Sequence, residues 1–173
     1  MKVFGLAGWS GSGKTTLVVR LIPALVARGL RVSTLKHAHH NFDVDKPGKD
    51  SYEHRQAGAT EVLVTSGRRW ALMHELRDAP EPTIEDLLPR MTAVDLLLIE
   101  GFKRQSHAKL EVHRPALGKP LLCPEDPHIV AVASDAPLPQ VSLPRLDLDD
   151  IEAIADFIID HCGLAPAQRG AAQ

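Results

Sequence analysis

Apolar and polar positions along the chain change period several times, and each change marks an expected element. Lys2-Val-Phe-Gly-Leu-Ala7 is a short apolar run that reads as a buried strand. Over residues 15–28, Leu17, Val18, Leu21, Ile22, Leu25 and Val26 recur at helical spacing. Pro23 removes a backbone donor inside that helix, predicting a kink or an accommodated break, and Gly29 supplies a left-handed cap. Residues 31–36 form a second strand, reached by a right-handed crossover. A polar loop over 37–49 leads to a short helix capped by Asp50 or Ser51 and running through Gln56. Residues 61–65 and 70–74 pair as a hairpin around Gly67. Thr83 starts a short helix that Pro89 breaks. Residues 94–100 and 129–133 are apolar on both faces and predict central strands of a parallel sheet. A last helix over 149–161 carries Ile151, Ile154, Ala155 and Ile158 on one stripe, with Gly163 beyond its end. Residues 115–127 and 137–144 read as proline-rich connections. The pattern predicts one domain over 1–163 and a flexible tail over 164–173.

Between the first strand and the first helix lies Gly8-Trp-Ser-Gly-Ser-Gly-Lys-Thr15, which fits G-x-x-x-x-G-K-[ST] without a gap. Glycines let the backbone fold into a nest of N–H groups aimed at one anion. Gly11, Ser12, Gly13, Lys14, Thr15 and Thr16 are the candidate phosphate-binding residues. Lys14 would carry charge to the β- and γ-phosphates, and the Thr15 hydroxyl would sit on Mg²⁺. The helix N-terminus favours the same negative charge.

Two carboxylates extend this chemistry. Glu100 ends the most apolar strand, where a carboxylate faces the metal or positions attacking water; a strand-end glutamate emerging into solvent is the other reading. With Lys14 it is the candidate catalytic residue, and with Thr15 the candidate metal ligand. Asp95, at the far end of that strand, reads as a capping residue. Asp135 follows the strand over 129–133 and could accept from N1–H and the N2 amino group of guanine, which selects GTP over ATP. Equally, it could only start the turn before Ala136-Pro137.

Bulk composition removes several classes. A net charge of −2, from 20 basic and 22 acidic residues, demands neither nucleic acid nor an anionic membrane. Cys123 and Cys162 lack metal-ligand spacing and suit a reducing, cytoplasmic compartment. The apolar N-terminal run is too short for a signal peptide or membrane span. His37, His39 and His40 could bind zinc or nickel, or donate to phosphate. Lys36, Lys46, Lys49, Arg55, Lys103 and Arg104 predict a basic rim for anionic ligands.

Three blocks together resemble the MobB family of P-loop GTP-binding adapter proteins of molybdenum-cofactor guanylylation. They are residues 8–17, residues 36–50 running on to His54-Arg-Gln-Ala-Gly58, and Asp95-Leu-Leu-Leu-Ile-Glu-Gly-Phe-Lys103. Only the first block is common to P-loop proteins in general; the middle one is specific. The resemblance covers roughly residues 1–160. It implies a three-layer α/β P-loop NTPase fold with a mainly parallel sheet and an added β-hairpin. It also implies GTP with Mg²⁺, weak hydrolysis, a homodimer, and partnership with the guanylyltransferase that joins GMP to molybdopterin. Trp9 stands where some related dimeric NTPases carry a further lysine. The residues alone leave two other functions open: a metallochaperone GTPase using the histidine loop, or a small-molecule kinase.

Overall fold

The computed structural model of the chain describes residues 1–38, 42–102 and 105–165. They form two compact units, Met1–His37 with Ala93–Gln173, and Ala38–Thr92.

The first unit is built on a six-stranded parallel sheet. In chain order its elements are β1 (Lys2–Ala7), α1 (Lys14–Ala27) and β2 (Val32–Lys36). The chain returns to this unit as β5 (Leu96–Glu100), β6 (Lys109–His113), β7 (Ile129–Ser134), β8 (Arg145–Asp147) and α4 (Ile151–Cys162). The spatial order is β2-β5-β1-β6-β7-β8, and every neighbouring pair is parallel. The connection after β1 leads to one side of it, and that after β5 to the other. Such a switch point opens a crevice at the carboxyl ends of the strands. Register decides what lines it. Leu6 and Lys36 both pair with Glu100, so Glu100 is level with the end of β1.

The apolar positions explain why the helices lie where they do. Leu17, Leu21 and Leu25 of α1 and Ile154, Ala155 and Ile158 of α4 join Phe4, Leu6, Leu98, Leu110 and Ala131 of the sheet in one cluster. Each fully buried leucine or isoleucine contributes about 1.5–3 kcal/mol relative to exposure. On the other face of β5, Leu97 and Ile99 are also fully buried, as a strand apolar on both sides requires. Pro23 neither breaks nor ends α1. The carbonyl four residues earlier belongs to Val19, which is 65% exposed, so water can take the place of the missing donor.

Two strands were not legible as strands. All five residues of β6 are buried, although Lys109, Glu111 and His113 alternate with Leu110 and Val112. The polar face survives burial because its partners are supplied. Lys109 Nζ donates to Asp126 Oδ2 at 2.8 Å, and Glu111 accepts from the amides of Leu122 and Cys123 at 2.8 and 2.9 Å. β8 is a three-residue edge strand lying just beyond the second proline-rich connection. Helix starts also moved. Asp150 caps α4 by accepting from Ala153 N at 2.9 Å, so the helix begins at Ile151. Leu164 packs against the core; of the expected tail, residues 166–173 lie outside the described residues.

The second unit holds α2 (Asp50–Gln56), the hairpin of β3 (Glu61–Thr65) and β4 (Trp70–His74), and α3 (Ile84–Leu87). The hairpin runs in the register Glu61↔His74 to Thr65↔Trp70. Lys49, not Asp50 or Ser51, precedes α2 as its cap residue; the Ser51 hydroxyl instead donates to Asp45 Oδ1 at 3.0 Å. Thr83 and Asp86 close a reciprocal capping box on α3, which passes into a 3₁₀ turn containing Pro89. On one face of the hairpin Leu63 lies opposite Leu72, beside Trp70, and all three are exposed.

Candidate functional site

The loop after β1 has the geometry of an anion nest. Gly8, Gly11 and Gly13 take φ values of 144, 80 and 99°. At Gly8 no other residue fits, since a Cβ there would stand 2.5 Å from the Val112 carbonyl oxygen and 2.8 Å from Ser12 Oγ. Gly13 caps α1 in a left-handed conformation. Among the described residues no side chain caps that end of the helix, and no acidic residue occupies its first turn. Its positive end is therefore not neutralised from within the helix. Ser12 is buried, and its Oγ makes no hydrogen bond among the described residues. A phosphate oxygen would satisfy that orphaned hydroxyl. The loop thus fits a polyphosphate. Lys14 Nζ is folded back on the loop, donating to the carbonyls of Gly8 at 3.0 Å and Trp9 at 2.9 Å.

Sheet register brings a carboxylate to this loop. The Thr15 hydroxyl donates to Glu100 Oε1 at 2.9 Å, across 85 residues of sequence. The Glu100 side chain is only 16% exposed, which counts against a glutamate simply emerging into solvent. Lys36 Nζ stands 3.9 Å from its other oxygen. A hydroxyl and a carboxylate so placed form the hard-oxygen pair that suits Mg²⁺, so the donor set fits that ion. Thr16 shares the exposed first turn of α1. Asp95 lies at the other end of β5 and binds Arg31, through the Arg31 amide at 2.7 Å and the guanidinium at 3.2 Å. That contact holds the Asp95 carboxyl below its usual range and marks it as a structural residue.

Directly after Glu100, the backbone turns sharply. A Cβ on Gly101 would meet His37 Cβ at 2.7 Å, and Phe102 adopts φ 48°, rare for an aromatic residue. The Phe102 ring packs on that of His37 at 4.6 Å. His37 is therefore anchored beside the strand ends. His39, His40, Lys103 and Arg104 lie outside the described residues. Among the described residues, no group of three histidines, cysteines or carboxylates is arranged to hold a metal ion. Arg55 does not join a basic rim. Its side chain, 10% exposed, is held within its own unit by Asp43 at 2.8 Å, Glu75 at 2.9 Å and Asp45 at 3.5 Å. Cys123 and Cys162 are free, and burial pushes both thiols up.

The residue that sequence reasoning missed is Arg114. Its Nε donates to the Ser12 carbonyl at 3.1 Å, and its Nη1 donates to Asp135 Oδ2. Asp135 is thus linked to the phosphate loop through a guanidinium, and it lines a cleft of about 410 Å³ with Ala136, Leu138, Arg145 and Asp147. The segment after Arg114 frames the loop further. Trp9 Nε1 donates to the Pro120 carbonyl at 2.7 Å, and Lys119 stands over the Trp9 ring at 5.8 Å. The one visible signal was the Arg114-Pro115 pair, since a residue before proline is confined to extended backbone.

Comparison with known proteins places the chain in a family. A 48% identical relative, the molybdopterin-guanine dinucleotide biosynthesis adapter protein of Escherichia coli (strain K12), aligns over 91% of both chains. The Haemophilus influenzae protein of the same name is 46% identical over 90% of this chain and 86% of its own. A crystal structure of molybdopterin-guanine biosynthesis protein B superposes with a TM-score of 0.74 at 27% identity, over 93% of this chain and 99% of that one. Bacillus subtilis MobB, at 24% identity and a TM-score of 0.70, covers 94% of this chain and 98% of its own, and shares the fold. The family model of molybdopterin guanine dinucleotide synthesis protein B matches residues 3–135, from the first strand through Asp135, and the chain belongs to that family, MobB.

Proposed function

We propose that this protein is a cytoplasmic, GTP-binding adapter with weak Mg²⁺-dependent GTPase activity, serving the guanylylation of molybdopterin. The observation that carries this reading is the 2.9 Å contact between Thr15 and Glu100 beside a glycine nest that fits phosphate. Mg²⁺, when bound, supplies charge neutralisation for the phosphates. In this reading Thr15 and Glu100 hold it. The loop amides and the first turn of α1 seat the phosphate oxygens. Lys14 gives up its two carbonyl partners for the β- and γ-phosphates, and Asp135 reads the guanine edge. Its slow chemistry suits an adapter that presents GTP to a guanylyltransferase. The protein names of the two bacterial relatives support that role.

A homodimer belongs to the same proposal, and the exposed Leu63, Trp70 and Leu72 face supports it as a self-complementary surface. Sedimentation equilibrium should give twice the chain mass; a monomer at all concentrations would contradict this.

The metal assignment has a direct test. Glu100→Gln keeps size and hydrogen bonding but removes the charge, so Mg²⁺-dependent GTP turnover should fall while metal-free nucleotide binding changes little. Asp95→Asn, at the far end of the strand, should leave turnover unaltered. Normal turnover in Glu100→Gln, with turnover lost in a folded Asp95→Asn, would reverse the assignment.

A further inference from the structure

We propose that Arg114 is a positioning residue for base recognition, fixing the Asp135 carboxylate for the two donors of guanine and tying it to the phosphate loop. The inference rests on the reading of residues 8–15 and Asp135 as a guanine-nucleotide site.

The placement follows from strand register. Val112 pairs with Ala133 and His113 with Ser134, so residues 114 and 135 leave neighbouring parallel strands side by side. On the other side of β6, Ala7 pairs with Glu111, which sets the start of the phosphate loop beside the same strand end. Arg114 therefore stands between the loop and Asp135. Pro115 restricts it further: its φ and ψ of −123 and 110° lie in the extended region that a following proline imposes. Its guanidinium lies 3.5 Å from where a Cβ on Gly13 would be.

Arginine can do here what lysine cannot. Its planar fork sends separate N–H groups to the Ser12 carbonyl and to Asp135 Oδ2 at once. Each carboxylate oxygen has two acceptor sites, so Arg114 leaves Asp135 enough capacity for N1–H and the N2 amino group. It also holds the plane of a side chain that is 29% exposed. As a stabilising contact the pair is poor, because Arg114 is itself 36% exposed and such pairs add little to folding. The arrangement suits selection of ligand better than stability of fold.

The test measures Mg²⁺-bound affinities of GTP, ATP, XTP and inorganic tripolyphosphate for the full chain, Arg114→Gln, Arg114→Lys and Asp135→Asn, with thermal melting of each. Arg114→Gln should weaken GTP roughly tenfold and lower the GTP:ATP ratio by a similar factor, with tripolyphosphate changed less than about twofold. Arg114→Lys restores charge without the fork and should recover only part of the ratio, which keeps the test open if the glutamine variant folds poorly. Asp135→Asn should shift preference from GTP towards XTP, whose extra carbonyl prefers an amide donor. An unchanged GTP:ATP ratio in folded Arg114 variants overturns the proposal. So does an equal loss for GTP, ATP and tripolyphosphate, which would assign Arg114 to the phosphates. A wild-type protein without preference for GTP, or an unmoved GTP:XTP ratio in Asp135→Asn, removes the base-reading site itself and the proposal with it.

Discussion

Replacing Asp126 with alanine should destabilise the protein by about 3–5 kcal/mol, the usual cost of stripping a buried charge of its partner. For a chain of this length that corresponds to a fall in melting temperature of roughly 6–20 °C. The charge left behind is Lys109, whose side chain is 0% exposed and whose ammonium donates to Asp126 at 2.8 Å. The two partners are not equivalent. Asp126 is 20% exposed and can recover some hydration, whereas the ammonium cannot. Lys109→Met, which keeps the length of the stem and removes the charge, should therefore cost less than Asp126→Ala. Thermal melting of both variants checks the order, and a larger loss in Lys109→Met would contradict it. Acid should act through the same pair. Burial pushes the Asp126 carboxyl up, but Lys109 and the His128 amide pull it down further, and the net shift is downward. A depressed folded-state value means this stabilisation is complete above the unfolded value near ~3.9 and is lost as pH falls through the folded value. Asp126→Ala should accordingly narrow its gap to the parent protein in strong acid.

Lys14→Ala should remove tight triphosphate binding while leaving the fold intact. The side chain lies outside the apolar stripe of α1, and its ammonium donates to the loop carbonyls of Gly8 and Trp9. Loss of one charge-assisted contact costs at least about 1.5–3 kcal/mol, which is roughly ten- to a hundredfold in affinity. The contacts to Gly8 and Trp9 are given up on binding, so they offset part of this loss and set it towards the lower end of that range. Calorimetric titration with GTP, alongside an unchanged circular dichroism spectrum, is the measurement. Parental affinity in a folded Lys14→Ala would show that the loop is not the phosphate site.

How much of this was legible in the chain depends on whether a residue's partner lies nearby in sequence. β1, the phosphate loop, α1, the hairpin and β5 each carry their own signal: a helical stripe, a glycine spacing or an unbroken apolar run. β6 does not. Its Lys-Leu-Glu-Val-His alternation looks like a half-exposed edge, and only Asp126 and the amides of Leu122 and Cys123 make full burial tolerable. Those partners follow 11 to 17 residues later, in a stretch read as a proline-rich connection. The site divides in the same way. Gly8 to Thr15 announces itself as a motif, and Glu100 as the end of a buried strand. Arg114 has no local pattern, because what matters about it is the register of β6 against β1 and β7. Arg55 failed as a rim residue for the converse reason: Asp43, Asp45 and Glu75 are drawn around it only once the second unit folds.

Loop 8–15, with Glu100 and Asp135, is proposed to bind GTP together with Mg²⁺. The most direct test is calorimetric titration of the purified protein with GTP, GDP and ATP, each with and without Mg²⁺. One nucleotide should bind per chain, with GTP favoured over ATP and a larger gain from Mg²⁺ for GTP than for GDP, because the triphosphate shares the ion with Thr15 and Glu100. Equal affinity for GTP and ATP, together with no response to Mg²⁺, would contradict it.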